Sequence, residues 1–388
     1  VKLLQMIAMP LIFISILVAF TKITIGKNFG KIAALILAFL IGTTAISAVV
    51  GITTTTLFDL DASQIMQGDE EIARGESMVE RSEAIPATLP QQLLELFPAN
   101  PFLDLTGARS TSTIAVVIFA AFLGFAFLQI LRKEEETAAT IKKGIDGIYA
   151  LIMGVVRIVL QLTPYGILAI MARTVATSDF GAIYSLGKFV VASYVALGIV
   201  FLIHLLIISL TGLNPLTYVK KSAETLLFAF TSRTSAGTLP LNIQTQTHRL
   251  GVPDGIANFA ASFGLSIGQN GCAGVYPAML AVMIAPTVGI NPLDPSFLIA
   301  LIFIVAISSF GVAGVGGGAT FAAILVLSAL DLPIALAGVL ISVEPLIDMG
   351  RTALNVSGSM AAGVTTARIT GDLDTEVYND NSDSKQLA

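Results

Sequence analysis

One cysteine and two histidines leave no internal disulfide and no His/Cys cluster for a structural zinc. Charge is scarce as well. Asp, Glu, Lys and Arg make up 12% of the 388 residues, against about 25% in an ordinary soluble domain. Lys and Arg number 21 and Asp and Glu 26, a formal net charge of -5. That balance lacks the basic footprint that phosphate backbones require, so nucleic acid is not expected as a partner. There is no Gly-x-Ser-x-Gly elbow, no readable Ser/His/Asp arrangement and no GK[ST] phosphate loop. What the chain has in excess is apolar surface, with 55% hydrophobic residues and a mean hydropathy of +0.85. The pattern is that of an all-α, multi-pass membrane protein rather than two or three soluble domains.

A bilayer core about 30 Å thick needs about 20 apolar helical residues. Segments near 3–20, 32–57, 113–131, 145–172 and 183–211 meet this. Lys2 to Phe20 runs straight into its helix, without the flanks of a signal peptide. No Met opens the chain, so upstream sequence, including one more helix, is expected. Lys22, Lys27 and Lys31, then Arg132, Lys133, Lys142 and Lys143, then Lys220 and Lys221 mark alternate loops as cytoplasmic. The segment 59–109 is acidic in its first half, with Asp59, Asp61, Asp69, Glu70, Glu71, Glu76, Glu80 and Glu83 against Arg74 and Arg81. It reads as an external loop with short helices, and the polar tail 371–388 as a disordered cytoplasmic segment.

Beyond residue 220 the apolar stretches are broken by polar and Gly-rich tracts instead of charged loops. Phe230-Thr-Ser-Arg-Thr-Ser-Ala-Gly-Thr-Leu-Pro240 and Ser308-Ser-Phe-Gly-Val-Ala-Gly-Val-Gly-Gly-Gly-Ala319 share this plan. In hydrocarbon, broken helix is tolerated only where it is buried in protein or lines a wet cavity. Paired interruptions point to a transporter's substrate site; glycines that only let helices approach closely are the alternative. Between them, Gly264-Leu-Ser-Ile-Gly-Gln-Asn-Gly-Cys-Ala-Gly274 predicts local unwinding that frees carbonyls for a small cation, or a structural kink.

In the last apolar helix Glu344, Asp348, Arg351, Thr352, Asn355 and Ser359 fall at i, i+4, i+7, i+8, i+11 and i+15, one stripe at 3.6 residues per turn. Ionisable groups within a span are functional hypotheses by default. Asp348 accepts an ammonium, Arg351 offers a fork to a carboxylate, and Asn355 both donates and accepts: the stripe matches an amino-acid zwitterion. An Asp348/Arg351 pair that neutralises itself and stitches helices is the alternative, and an empty site can do so until substrate exchanges in. His204, alone in an apolar helix, and His248, beside Arg249, read as structural or solvated groups rather than proton relays.

These segments, above all Arg233-Thr-Ser-Ala-Gly-Thr-Leu-Pro240, Gly311 to Gly318 and Asp348-Met-Gly-Arg-Thr-Ala-Leu-Asn-Val-Ser-Gly358, resemble the dicarboxylate/amino acid:cation symporters, relatives of the glutamate transporters. The resemblance covers the chain apart from the family's first helix. Gly268-Gln-Asn-Gly-Cys-Ala-Gly274 and Ile341-Ser-Val-Glu-Pro345 look most like its bacterial L-cystine uptake branch.

The resemblance implies a homotrimer of the glutamate-transporter-like fold, with inverted repeats, two re-entrant helical hairpins near 221–247 and 295–331, and a broken helix between them. Residues 1–25 and 110–180 would form a static scaffold, and 26–58 and 183–370 a transport domain that moves as an elevator in the cell membrane. By the same resemblance Asp348 and Thr352 hold the substrate ammonium, Asn355 its α-carboxylate and Arg351 a distal acid group. Thr234, Ser235, Val315 and Gly318 close around the ligand, and Cys272 lies near it. Cys272 reads as a small packing residue rather than a reactive thiol, since no Lys, Arg or His stands near it in sequence.

The chain departs from the acidic-amino-acid pattern where cations bind. Gln269 and Asn270 replace the family's Met-Asp, and Ser359 stands where an acid is expected. The three-sodium stoichiometry is therefore not carried over. A sodium site of carbonyls and hydroxyls around Ser266, Gln269, Ser309, Phe310 and Val312 is expected, or proton coupling through Glu344; no cofactor is. L-cystine, with two amino and two carboxyl groups, accounts for the charges, Glu344 meeting the distal ammonium. Aspartate, glutamate or another dicarboxylate is the alternative cargo. An anion channel and an intramembrane hydrolase using Asp348 and Glu344 are competing classes, the second opposed by Arg351, which keeps Asp348 ionised.

Overall fold

The computed structural model describes residues 2–22, 29–62, 76–80, 91, 94–109, 111–161, 165, 168–169, 172, 186–312 and 318–380. Among them there is helix, turn and bend but no strand. The long helices come first: α1 (Lys2–Lys22), α2 (Phe29–Leu57), a short α3 (Pro101–Leu105), α4 (Ser112–Lys133), α5 (Glu135–Gln161) and α6 (Gly187–Leu210). The interrupted elements follow. Helix α7 (Pro215–Ser232) turns at Arg233 into α8 (Ser235–Gln244), which runs on as a π turn, Thr245–Arg249. Next, α9 (Asp254–Phe263) unwinds over 264–269 and resumes through a π segment, Asn270–Val275, into α10 (Tyr276–Ile284). Helices α11 (Pro295–Ser308) and α12 (Gly318–Ala329) form a second pair, and α13 (Glu344–Thr370) and α14 (Thr375–Asn379) end the described chain.

Local chemistry sets the starts. Asn214-Pro215 and Asp294-Pro295 place an acceptor at the cap and a proline, which has no N–H to lose, at the first helical position. Among the described residues four helices are long and apolar enough to cross a bilayer: Gly30–Leu57, Ser112–Lys133, Gly187–Leu210 and Asn270–Val288. The protein is a membrane protein on that ground. The expected span 3–20 lies within α1, and 145–161 of the expected span 145–172 within α5, whose remainder lies largely outside the described residues.

Two apolar cores hold the helices. One joins α1, α4, α5, α8, α9 and the C-terminal half of α13; the other joins α6, α10, α11 and α12 with the first turns of α13. Both α2 and α13 run through the two, so the stripe on α13 stands where α2, α6, α7, α9 and the π segment converge.

Within 59–109, α3 is a short helix clipped by charge: Arg109 donates to both oxygens of buried Asp104 (2.8 and 2.9 Å), and Ser112 Oγ adds a third bond at 3.1 Å. The tail departs from its expected disorder. Residues 371–380 are folded: Gly371 ends α13 at φ +81, Asp374 caps α14, and Tyr378 is fully buried with its hydroxyl donating to Asn214 O at 2.9 Å. Lys221 Nζ donates to the carbonyls of Arg249 and Val377, and Asp374 N–H to Gly251 O at 2.9 Å. Polar composition concealed this strap because its partners lie more than a hundred residues upstream. Residues 381–388 lie outside the described ones. Tyr378→Phe is expected to lower stability by about 1 kcal/mol, the worth of one hydrogen bond. Tyr378→Ala is expected to lower it by about 3–5 kcal/mol, as for other large-to-small core changes. Thermal unfolding in detergent with a core-buried fluorophore reads both.

Candidate substrate site

Arg351 is wholly buried on α13. Its Nη2 donates to Glu344 Oε1 at 2.8 Å and to Asp348 Oδ1 at 3.3 Å, and its guanidinium carbon lies 4.4 Å from the centre of the Tyr276 ring. Spacing on one helix brings the three charges together; Tyr276, from the start of α10, adds a cation–π face. Nε and Nη1 of Arg351 have no partner among the described residues. A buried guanidinium with two idle donors is costly unless something accepts from them.

The sequence did not single out Arg233. It ends α7 in the left-handed region at φ +56, a conformation that non-glycine residues hold only where the surroundings require it. The turn aims its Nε at Asp348 Oδ2, 3.2 Å away and 115 positions along the chain. Asp348 is thus gripped by two arginines, and the cluster of Arg233, Arg351, Glu344 and Asp348 sums to zero charge. A charge within an apolar segment was the available signal for Arg233.

Thr234 caps α8, its Oγ1 accepting from Gly237 N at 3.1 Å, and Ser235 is the buried first residue of that helix. Both follow Arg233 directly, at the turn between α7 and α8. Thr352 is buried beside Arg351 on α13. Gly318 is buried where α12 begins, and Val315 lies outside the described residues.

Asn355, four residues and about one turn beyond Arg351 on α13, ties that helix to the break. Its Oδ1 accepts from Gly271 N–H at 2.8 Å, and its Nδ2 donates to Gln269 Oε1 at 2.8 Å and to Cys272 Sγ at 3.1 Å. Gln269 donates in turn to Gly264 O at 2.8 Å. Residue 271 has to be glycine, because a Cβ there would lie 2.7 Å from Arg351 Cα. Gly271→Ala is expected to destabilise the fold by about 1–3 kcal/mol through overpacking and to displace Arg351; thermal unfolding with and without substrate checks both. From the opposite side Tyr194 of α6 donates to Leu346 O at 2.8 Å and fills the space beside Gly350.

Of the expected cation ligands, Val312 is fully buried and packs on Ala273 and Ala322, beside the break. The side chain of Gln269 is spent holding Asn355, and Ser309 Oγ on Ala306 O at 2.7 Å. Ser266 Oγ is buried without a partner among the described residues, and Phe310 is partly buried against the first core. The two positions where the resemblance expects carboxylates carry neutral bonds: Asn270 Nδ2 donates to Thr43 Oγ1 at 2.9 Å, and Asn242 Nδ2 to Ser359 Oγ at 2.7 Å. His204 is buried with Nδ1 3.3 Å from Ser357 Oγ, and His248 is exposed.

Residues 1–369 match the family model described as the sodium:dicarboxylate symporter family. The chain is 67% identical over 381 residues to the L-cystine uptake protein TcyP of Shouchella clausii, covering 98% of this chain and 82% of that protein. It is 65% identical over 383 residues to its namesake in Bacillus licheniformis, covering 98% of this chain and 83% of that one. Against the namesake in Bacillus subtilis it is 63% identical over 383 residues, at 98% and 82% coverage. These relatives are uptake proteins, not enzymes. The chain is a transporter of the sodium:dicarboxylate symporter family.

Proposed function

We propose that the protein imports L-cystine across the plasma membrane as a secondary active transporter coupled to a cation. The observation that carries this is the neutral four-charge cluster with two unused donors on buried Arg351. Cystine, a double zwitterion, brings one carboxylate to those donors and one to Asn355. Its ammonium groups go to Asp348, with Thr352, and to Glu344. Cystine adds two positive and two negative charges to a neutral cluster, so the buried site stays close to neutral whether empty or filled. The tips at Thr234 and Ser235, and at Val315 and Gly318, close over it as re-entrant hairpins.

Movement follows the inverted-repeat plan, with 26–58 and 183–370 sliding as one body against a scaffold of 1–25 and 110–180 in a homotrimer surrounded by lipid. The dense bonding of α13 to the break and to α7 supports a single moving body. Sodium is the favoured coupling ion, at a carbonyl and hydroxyl site near Ser266, Ser309, Phe310 and Val312, with fewer ions per cycle than relatives that keep both carboxylates. The test is uptake of radiolabelled L-cystine into proteoliposomes with an inward sodium gradient, an inward proton gradient or neither, and excess L-aspartate as competitor. Sodium-driven accumulation that resists aspartate is expected. Proton-driven accumulation transfers coupling to Glu344, and accumulation of aspartate in place of cystine overturns the substrate assignment.

A further inference from the structure

Both N–H groups of Asn355 are already spent, one on Gln269 Oε1 and one on Cys272 Sγ, so any carboxylate that Asn355 holds has to displace an acceptor. The two acceptors are unequal. Gln269 is anchored at its other end by Gly264 O, and an amide oxygen is a good acceptor. A thiol sulfur is a weak one, whereas a carboxylate forms charge-assisted bonds roughly twice as strong as neutral ones. The Gly271 N–H on Oδ1 and the Gln269 bond fix the amide's orientation and leave its second N–H directed at the sulfur. A second observation points to a ligand here: Arg351, whose backbone packs against Gly271 next to Cys272, holds two buried donors without a partner among the described residues.

We infer that Cys272 is a positioning residue whose sulfur stands in for the substrate carboxylate on Asn355, satisfying the amide in the empty site and yielding when substrate binds. This rests on the proposed role of Asn355 and adds what sets its affinity. A hydroxyl at 272 would hold the amide harder, and a methyl group would leave it an idle buried donor that favours any incoming acceptor.

The experiment measures L-cystine binding to purified wild type, Cys272→Ser and Cys272→Ala by scintillation proximity, together with infrared spectra of the wild type. Relative to wild type, Cys272→Ala is expected to bind about fivefold tighter and Cys272→Ser about fivefold weaker. Cys272 is the chain's one thiol and cystine has none, so the S–H stretching band reports on this sulfur alone. It is expected to shift when cystine is added. Both variants moving in the same direction, or a band unmoved at saturation, would overturn the inference even if Asn355→Asp abolishes binding. Undiminished binding by Asn355→Asp would overturn the carboxylate role of Asn355, and the inference with it.

Discussion

Arg351→Lys is expected to raise the KM for L-cystine by about 100-fold, the loss of about two charge-assisted hydrogen bonds, while the protein still folds. Lysine keeps a positive charge between Glu344 and Asp348, so neither carboxylate is stranded. What it lacks is the planar guanidinium: a single ammonium cannot reach both internal acids, stack on Tyr276 and still keep donors free for a ligand. Arg351→Met separates the two roles from the other side. With the charge gone, Glu344 and Asp348 lie close together without their shared cation, and removing one partner of a buried pair costs about 3–5 kcal/mol. Uptake kinetics and thermal unfolding on both variants decide the matter. A normal KM in Arg351→Lys would show that the guanidinium takes no carboxylate.

The stripe on α13 was legible because helical periodicity alone places Glu344, Asp348 and Arg351 on one face, and α13 is regular from end to end. The interrupted elements were legible as well, since Pro, Gly and hydroxyl residues cannot sit in an apolar run without a reason. What sequence spacing cannot supply is the partner that arrives from another element. Arg233 reaches Asp348 only because the turn after α7 takes a left-handed residue, and Tyr276 meets Arg351 only because α10 resumes after a π segment. Gln269 is a further case, its side chain committed by the fold to Asn355 and Gly264 O. The strap at 371–380 was hidden for the same reason: its charges and turn residues match those of a disordered tail until Tyr378 finds its buried seat.

Glu344→Gln is expected to turn the selectivity of the site, more than its stability, toward acidic amino acids. Glutamine keeps an oxygen for Arg351 Nη2, so the guanidinium retains its neighbour while the charge is removed. The cluster then carries two guanidinium groups and one carboxylate, a net charge of +1 in place of zero. A cystine molecule with two ammonium and two carboxylate groups loses the acid proposed for its distal ammonium, and a charge-assisted bond of this kind is worth about 1.5–3 kcal/mol. Cystine uptake should fall by about 10–100-fold. L-aspartate and L-glutamate, each with a net charge of -1, gain where cystine loses, because the charge that repelled their second carboxylate is gone. Inhibition of labelled cystine uptake by excess aspartate, absent in the wild type and present in the variant, is the measurement. Full cystine uptake that stays insensitive to aspartate would remove Glu344 from recognition and leave it as a counter-ion that holds Arg351 in place.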